Sequence, residues 1–499
     1  MPAIITNKFR INNAEQFSES FSEASPEVYY LGIGRPQAFG TQNRGDDTGV
    51  IILGAAQFRT ENQGTDSAAI TPSDSVIEEL NIFDDLLAVK KVISSDVSFV
   101  IPRRNWTNGT VYDYYRHDYG NRITGTTTTQ TSNSGATTLF DATFYVLTSA
   151  RNVYKCLDNN NNAASTVEPD TLFTPIQTTG DGYKWKYMYS LSGAQQSNFL
   201  STDFMAVQTN SDVSNNAADG AISTVRIKSA GSGGINATYT GIPIRGDGTG
   251  ATVSVVVAGG FVTTVTVTNA GSGYTIAYIR NSDIVSAGAT GLTGAEIDVI
   301  IPPKGGHGFN AVKELGGFFV MLNINLEGTE SANTGDFTSE NDFRRIVLIK
   351  NPFSGGSAAS ALTLRATKAV RLASPVTGTF LADEKITQST TGAVGKVVEY
   401  DSANRILHYI QTRFNDEGLS SLGNRTAFSG VNVITGATSA ATGTPSAVAS
   451  ETADSITFTS GYKDTELDRH KGDVLYIENR APITRASDQT ENIKLVIEF

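Results

Sequence analysis

Residues 180–191 read GDGYKWKYMYSL, and this stretch decides the fold class. Every second residue from 183 to 191 is aromatic or apolar, which places five side chains on one face: Tyr183, Trp185, Tyr187, Tyr189 and Leu191. A period of two is typical of a β-strand, in which successive side chains point to opposite faces. The preceding Gly-Asp-Gly is a turn signal. The segment therefore predicts a strand whose aromatic face packs into a core.

The rest of the chain has the composition of a protein rich in strands and turns. Its 499 residues include 48 Gly, 24 Phe and 18 Tyr, and only 18% are charged, against a usual value of about 25%. Residues 343–350 predict a second strand, which Asn351 and Pro352 end. Alternation at the C-terminus predicts another strand, with one face formed by Ile493, Leu495, Ile497 and Phe499.

Two helices are predicted in the N-terminal part. Asn12 or Asn13 can cap a helix over residues 14–24. A second helix is expected to begin at the TPSD of residues 71–74, where Thr71 can cap and the proline suits the first helical position. Helical spacing predicts one apolar stripe on this second helix, at Val76, Leu80, Phe83 and Leu87.

Internal repeats divide the chain further. VRIKSAGSG at residues 225–233 matches VTVTNAGSG at 265–273, and a Gly-Ala with alternating Val or Ile recurs at 250–257 and 294–301. A weaker repeat lies within 373–451. Repeated small β units that bury their faces against each other explain this pattern. We therefore predict a mainly β fold with a few helices, in which a multi-layer β host domain carries two Gly-rich β inserts. The predicted boundaries are host 1–220, first insert 221–303, host 304–372, second insert 373–451, and host C-terminal strands 452–499.

Charge and cysteine content exclude several classes of function. The net charge of -12 disfavours binding to nucleic acid. A single cysteine, Cys156, rules out an intrachain disulfide and a multi-cysteine metal site. The N-terminus has no apolar stretch typical of a signal peptide, and no apolar run approaches the length of a membrane span. We expect a soluble protein that folds in the cytoplasm.

The usual catalytic and cofactor motifs are missing from the sequence. No serine has glycine at both the -2 and +2 positions, so a nucleophile elbow is excluded. The Gly-rich stretches 246–250 and 392–396 lack the P-loop spacing, and turns explain them better. Asp46, Asp47 and Asp247 lie in Gly-rich turns that could hold calcium, although ordinary turns use the same residues. We predict no catalytic residue, no cofactor and no metal site.

The densest group of chemically active side chains is YDYYRHDY at residues 112–119. It could form a sugar-binding or acid/base site. The interpretation we favour is that it pins a strand edge and a subunit interface, because Tyr and Arg are enriched in interfaces. Cys156 lies in a strand-like run and is expected to be a small core residue.

Several segments together resemble a baseplate wedge subunit, of the gene-eight type, of T-even-like contractile-tailed bacteriophages. The segments are NGTVYDYY at 108–115, YVLT at 145–148 leading to NVYKCLDNN at 152–160, GDGYKWKYMY at 180–189, GDVLYIENRAPITR at 472–485 and DQTENIK at 488–494. The resemblance covers the host segments, while the two inserts are additions to the smaller family pattern.

The resemblance implies a structural protein without catalytic residues. It implies a mainly β homodimer within each wedge, bound to other baseplate wedge proteins, which takes part in the rearrangement that triggers sheath contraction. The expected location is the virion tail baseplate, assembled in the host cytoplasm. Nucleic acid, membrane and small-molecule substrates are not expected as partners.

Two other classes of function stay open from the sequence. A receptor- or carbohydrate-binding tail protein would use the Gly-rich repeats and the cluster at residues 112–119. A polysaccharide-degrading enzyme would need paired carboxylates in a cleft, and no motif identifies such a pair.

Overall fold

A computed structural model describes residues 3–23, 27–39, 65–122, 128–327, 342–411, 418–420, 424–483 and 490–499. The fold is mainly β, with 41% strand and 11% helix, which confirms the predicted fold class. The helical segments that the structure describes are α1 Asn7–Glu19, α2 Val76–Asp85, α3 Gly193–Phe199, α4 Ser211–Asn215, α5 Asn281–Ser286 and α6 Ala311–Leu315, with a 3-10 turn at Ser94–Asp96.

The strands fall into three groups along the chain. The first group is β1 Tyr29–Gly34, β2 Leu86–Val92, β3 Val97–Pro102, β4 Tyr145–Leu147, β5 Asn152–Asp158, β6 Gln177–Thr178, β7 Lys184–Ser190 and β8 Phe204–Ala206. The second group is β9 Val225–Ser232, β10 Ala237–Pro243, β11 Arg245–Gly246, β12 Thr252–Ala258, β13 Phe261–Asn269, β14 Ala277–Tyr278 and β15 Thr293–Val299. The third group is β16 Phe319–Glu327, β17 Phe343–Lys350, β18 Phe353–Ser354, β19 Ser357–Ala358, β20 Thr363–Arg365, β21 Lys368–Arg371, β22 Lys385–Gln388, β23 Val394–Asp401, β24 Ile406–Ile410, β25 Ile434–Gly436, β26 Thr442–Gly443, β27 Ser450–Ala453, β28 Ile456–Thr459, β29 Tyr462–Lys463, β30 Asp473–Ile483 and β31 Thr490–Glu498.

The chain forms two compact units. Unit 1 comprises Met1–Ser18, Ser98–Met321 and Val496–Phe499, and unit 2 comprises Glu19–Val97 and Leu322–Leu495. The largest core of unit 1 lies around the four-stranded sheet β4-β5-β7-β6, whose strands all pair antiparallel. Both faces of β7 are buried, because Lys186 and Met188 are covered as well as the aromatic side chains of the other face.

The first predicted insert region has a core of its own within unit 1. Its buried side chains come from residues 222–299, and most are Val, Ile and Ala. The strands that carry the two sequence repeats pair across the repeats: β9 pairs with β15, and β12 pairs with β13. The first strand of each copy is therefore bonded to the last strand of the other copy.

Two glycines at equivalent positions of the repeats allow this pairing between the copies. Gly231 has a φ of +66°, and a Cβ there would lie 2.7 Å from the backbone N of Ala295. Gly271, which occupies the same position in the second copy, has a φ of +60°, and its Cβ would lie 2.6 Å from the backbone N of Ala251. Only glycine fits this close approach at positive φ.

Unit 2 contains two larger sheets. The five-stranded sheet has the order β20-β2-β1-β17-β30, and the nine-stranded sheet has the order β26-β25-β22-β23-β24-β21-β29-β28-β27. Strand β17 spans the predicted residues 343–350. In the nine-stranded sheet β22 pairs with β25, which joins the two copies of the weaker repeat.

The predicted helices are displaced in the structure. Helix α1 begins at Asn7, before the predicted caps, and ends at Glu19. Helix α2 is capped by Ser75, whose side chain accepts a hydrogen bond from the Glu78 N–H, and it begins at Val76 instead of Pro72. The predicted apolar stripe of α2 is wrong: Val76 and Leu80 are exposed, Phe83 is buried, and Leu87 belongs to β2.

Candidate functional site

Residues 112–116 of the cluster at 112–119 are buried inside unit 1, whereas His117 is exposed and the last two residues are half-buried. Tyr112, Asp113 and Tyr115 are buried, and the Tyr112 ring packs edge-on against Trp185 with centroids 5.8 Å apart. Asp113 accepts hydrogen bonds from the N–H groups of Thr143 and Ser134 and from both hydroxyls. Burial acts to raise the pKa of Asp113, but these donors outweigh it and hold the pKa below its ordinary value. The interpretation of these three residues as a strand edge and subunit interface is therefore wrong, because they fill the chain's own core.

The remaining side chains of the cluster tie the core to the repeat region. Arg116 binds both carboxylate oxygens of Asp118 at 2.7 Å and reaches Asp298 of β15 at 3.2 Å. Arg226 of β9 lies over the Tyr114 ring, 4.0 Å from its centroid. A bidentate Arg–carboxylate pair fixes geometry as well as charge. These contacts attach residues 225–299 to the aromatic sheet of unit 1.

A buried ion pair lies beneath the same sheet. Lys155 of β5 pairs with Glu314 of α6, and both side chains are almost completely buried. The Glu314 carboxylate also accepts hydrogen bonds from the N–H groups of Gly308 and Asn310, at 2.8 and 3.2 Å. Burial lowers the pKa of Lys155, and the Glu314 carboxylate opposes that effect. The acceptor capacity of Glu314 is thus taken up within the protein.

A cavity of about 350 Å³ opens beside this pair. Lys186 and His307, both 6% exposed, contribute its polar groups together with Asn216 and Ser223. The His307 ring meets Tyr115 edge-on at 5.0 Å, and neither of its ring nitrogens has a hydrogen-bond partner in the described part of the chain. Burial, together with the positive charges of Lys155 and Lys186, holds the pKa of His307 well below its ordinary value.

The C-terminal strands provide a surface of a different kind. Strand β30 is an edge of the five-stranded sheet, and β17 is the one described strand that pairs with it. Over its eleven residues no side chain is buried, and Leu475 is 50% exposed. A cavity of about 150 Å³ lies beside this edge, lined by residues that include Phe343, Arg480 and Leu495. A long exposed edge presents unpaired backbone groups to which another chain can add.

Ion pairs attach the part of the chain that precedes β30 to helix α2. Arg425 binds the Asp84 carboxylate of α2 at 2.8 Å, and Arg469 contacts the same oxygen. Asp84 is buried, so it is a fixed attachment point for two parts of the chain that are distant in sequence. Burial lowers the pKa of Arg469 to about 10.

The other residues singled out in the sequence have structural surroundings. Cys156 is buried, and burial raises the pKa of its thiol, which confirms its prediction as a core residue. Asp247 caps its loop by accepting hydrogen bonds from the N–H groups of Thr275 and Ile276, both at 2.9 Å, which together with the Thr275 hydroxyl lowers its pKa to about 2. Asp46 and Asp47 lie outside the described residues.

The residues that the structure describes contain no group of three or more His, Cys, Asp or Glu side chains arranged to hold a metal ion. No described helix combines the length and apolar character needed to span a bilayer.

Sequence reasoning missed the buried polar groups of unit 1. The alternation of residues 183–191 assigned Lys184 and Lys186 to the face opposite the aromatic side chains. A pattern of that kind does not distinguish a solvated lysine from a buried one, because both satisfy a period of two. Glu314 and His307 lie far from this strand in sequence and carry no recognisable motif, so only the folded chain brings them together.

Comparison with known proteins concerns the C-terminal segment. Residues 423–499 match the family model described as "Bacteriophage T4, Gp8". Comparison with curated proteins gives no match. The matched range contains two of the segments on which the resemblance rests, 472–485 and 488–494. The family match therefore confirms that this chain resembles the gene-eight type of phage baseplate wedge subunit, through the segment that carries the exposed edge strand β30.

Proposed function

We propose that this protein is a structural subunit of a phage tail baseplate wedge, joining neighbouring wedge proteins and taking part in the rearrangement that triggers sheath contraction. The observation that carries the proposal is the match of residues 423–499 to the Gp8 family model. Its location is then the virion tail baseplate, after assembly in the host cytoplasm. The role requires no catalytic residue, and we propose that the protein is not an enzyme.

We further propose that the chain forms a homodimer through β30. An edge strand can pair antiparallel with its own copy about a two-fold axis, which joins the two sheets. Leu475 supplies exposed apolar surface on this strand, while Val474 and Ile477 pack against the core of unit 2 and hold the strand in place. Self-association of a chain with a net charge of -12 must overcome like-charge repulsion. An apolar contact supplies the favourable free energy that overcomes this repulsion. Salt should then weaken the dimer only slightly, because screening acts mainly on exposed charges.

The domain boundaries predicted from the sequence enter the proposal as well. We propose that residues 221–303 and 373–451 are β inserts added to the host domain of a wedge subunit. The separate buried cluster of residues 222–299 supports the first insert. The cluster of the second stretch, which includes Phe380, Ile386 and Ile434, also contains Val370 and Leu372 of the preceding host segment, and the family match begins within this stretch, at residue 423.

Sedimentation tests the assembly. Analytical ultracentrifugation of the full chain at micromolar concentration should show a dimer at both low and high salt. Leu475→Asp should shift it to monomer, because a carboxylate at the centre of the contact would be buried without a partner. Leu381→Asp is the matched control, since Leu381 is exposed to a similar extent, 47% against 50%, and lies elsewhere in unit 2. A dimeric Leu475→Asp variant would refute the assignment of the contact to β30.

Imaging tests the place in the virion. Antibody against this chain should label the baseplate core in negative-stain images of virions. Label at the fibre tips would favour the alternative of a receptor- or carbohydrate-binding tail protein. The first insert offers that alternative little support, because two of its four aromatic side chains, Tyr239 and Tyr274, are buried in its core and leave only Phe261 and Tyr278 exposed to contact a sugar. A strict monomer that binds no purified wedge protein would overturn the proposed function.

A further inference from the structure

The cavity beside β7 has a single charged lining group. Lys186 is 6% exposed, and no carboxylate lines the cavity in the described part of the chain. The Lys186 ammonium donates to the Thr174 carbonyl oxygen, which is an uncharged partner. Gly308 lets the backbone approach this side chain, since a Cβ there would lie 3.3 Å from the Lys186 Cε. The site therefore holds a buried positive charge whose hydrogen-bond acceptor is uncharged, with no carboxylate among the described lining residues.

Glu314 compensates this charge only in part. Its carboxylate is already bound by the Lys155 ammonium and by backbone N–H groups of the loop that follows His307. Burial and the positive charge of Lys155 lower the pKa of Lys186, and the more distant attraction of Glu314 does not outweigh them. A buried ammonium ordinarily lies beside an anion, because removing it from water is costly.

His307 provides the second polar group. Its imidazole is buried against the Tyr115 ring, and both nitrogens lack partners among the described residues. A neutral imidazole offers one N–H donor and one acceptor. Together with the lysine ammonium, this donor suits an oxygen that carries negative charge. The other lining groups include Pro175, Ile176 and Ala221, which suit a short apolar chain.

From this geometry we propose that the cavity is a binding site for a small oxyanion, a carboxylate or a phosphate, which Lys186 and His307 bind together. Its volume of about 350 Å³ is at the lower end of the range for small-ligand sites. Occupation would give the His307 imidazole a hydrogen-bond partner and the Lys186 ammonium an anion. The proposal does not depend on the baseplate function, because it rests on groups inside unit 1.

Histidine NMR tests the site in the full chain. With the histidine ring carbons labelled, four imidazole signals are expected, and His307→Gln assigns the one of interest. Titration with inorganic phosphate or with butyrate should move the His307 signal to saturation, while sodium chloride at equal ionic strength should not. Saturation by phosphate alone identifies a phosphate site, and saturation by butyrate alone identifies a carboxylate site. No movement, or equal movement with chloride, overturns the proposal.

Variants supply the second criterion. Lys186→Met should weaken binding at least tenfold, whereas Lys184→Met should not, because Lys184 lies on the same strand but pairs with Asp158 at 3.3 Å. Ser223→Asp places a carboxylate in the cavity while keeping Lys186, and it should also weaken binding at least tenfold. Ser223→Asp therefore tests the proposal even if Lys186→Met does not fold. Unchanged affinity in Lys186→Met or in Ser223→Asp would overturn the proposal.

Discussion

Replacing Trp185 by alanine tests the aromatic core of unit 1. The indole is fully buried and stacked on Tyr183, with ring centroids 5.4 Å apart. A buried tryptophan removes about 200 Å² from water, which at about 25 cal/mol per Å² contributes about 5 kcal/mol, and alanine retains about 1 kcal/mol of that. The indole N–H has no acceptor within the described residues, so its removal returns part of the loss. We expect Trp185→Ala to lower the free energy of unfolding of unit 1 by about 3 kcal/mol, within the usual range for such changes.

Urea unfolding followed by Trp106 fluorescence measures this loss. Trp106 is the chain's other tryptophan, it packs against the same core, and its indole N–H donates to the Ser165 hydroxyl at 3.1 Å. Trp185→Phe is the matched control. It keeps a ring against Tyr183 and removes the unpaired donor, so it should cost about 1 kcal/mol. A Trp185→Ala variant within 1 kcal/mol of the parent chain would refute the packing argument.

Three further predictions concern other parts of the molecule. Burial and nearby Arg365 lower the pKa of His408 to about 3, so between pH 7 and pH 5 the unfolded chain takes up a proton that the folded chain does not, and unit 2 should lose about 2 kcal/mol of stability. His408→Gln should abolish that part of the pH dependence in calorimetric melts, and an unchanged dependence would contradict the assignment. Replacing residues 221–303 by a short Gly/Ser bridge should leave a soluble remainder with β-type circular dichroism; an unfolded remainder would show that the segment is integral to the host. Glu314→Gln should destabilise unit 1 by about 3–5 kcal/mol by leaving Lys155 buried and unpaired. The double variant Lys155→Met/Glu314→Gln should recover most of the loss, because it removes the buried charge and keeps a side-chain oxygen at position 314 for the N–H groups of Gly308 and Asn310; equal loss in both would mean that the charge is not the cause.

Strands were predictable wherever packing follows a simple period. The aromatic face of residues 183–191 and the strand over 343–350 are found in the structure. Their side chains are large and apolar, and the residues that stop them, such as Asn351 with a φ of +50°, break the pattern sharply. Signals of this kind involve residues close together in sequence, so the sequence alone is enough to predict these strands.

Helix α2 was not predictable from hydropathy because its buried face combines the apolar Ile82 and Phe83 with three carboxylates. Asp85 and Glu78 lie inside unit 2 within 3.2 and 3.5 Å of the Arg345 guanidinium. A hydropathy stripe assigns carboxylates to water and apolar residues such as Val76 to the core, which is the reverse of what the structure shows. The arginine lies more than 250 residues away in the chain, so only the tertiary fold reveals the pairing. The same holds for Lys186 and His307.

The crossed pairing of the two repeats in residues 221–303 has a consequence for their origin. Because β9 pairs with β15 and β12 with β13, neither copy can complete its own sheets. A lone copy would need a second molecule of itself, with each lending its first strand to the other's last. The pair of repeats thus has the strand pairing of a domain-swapped dimer joined into one chain, with Gly259 and Gly260 between β12 and β13 serving as the covalent link.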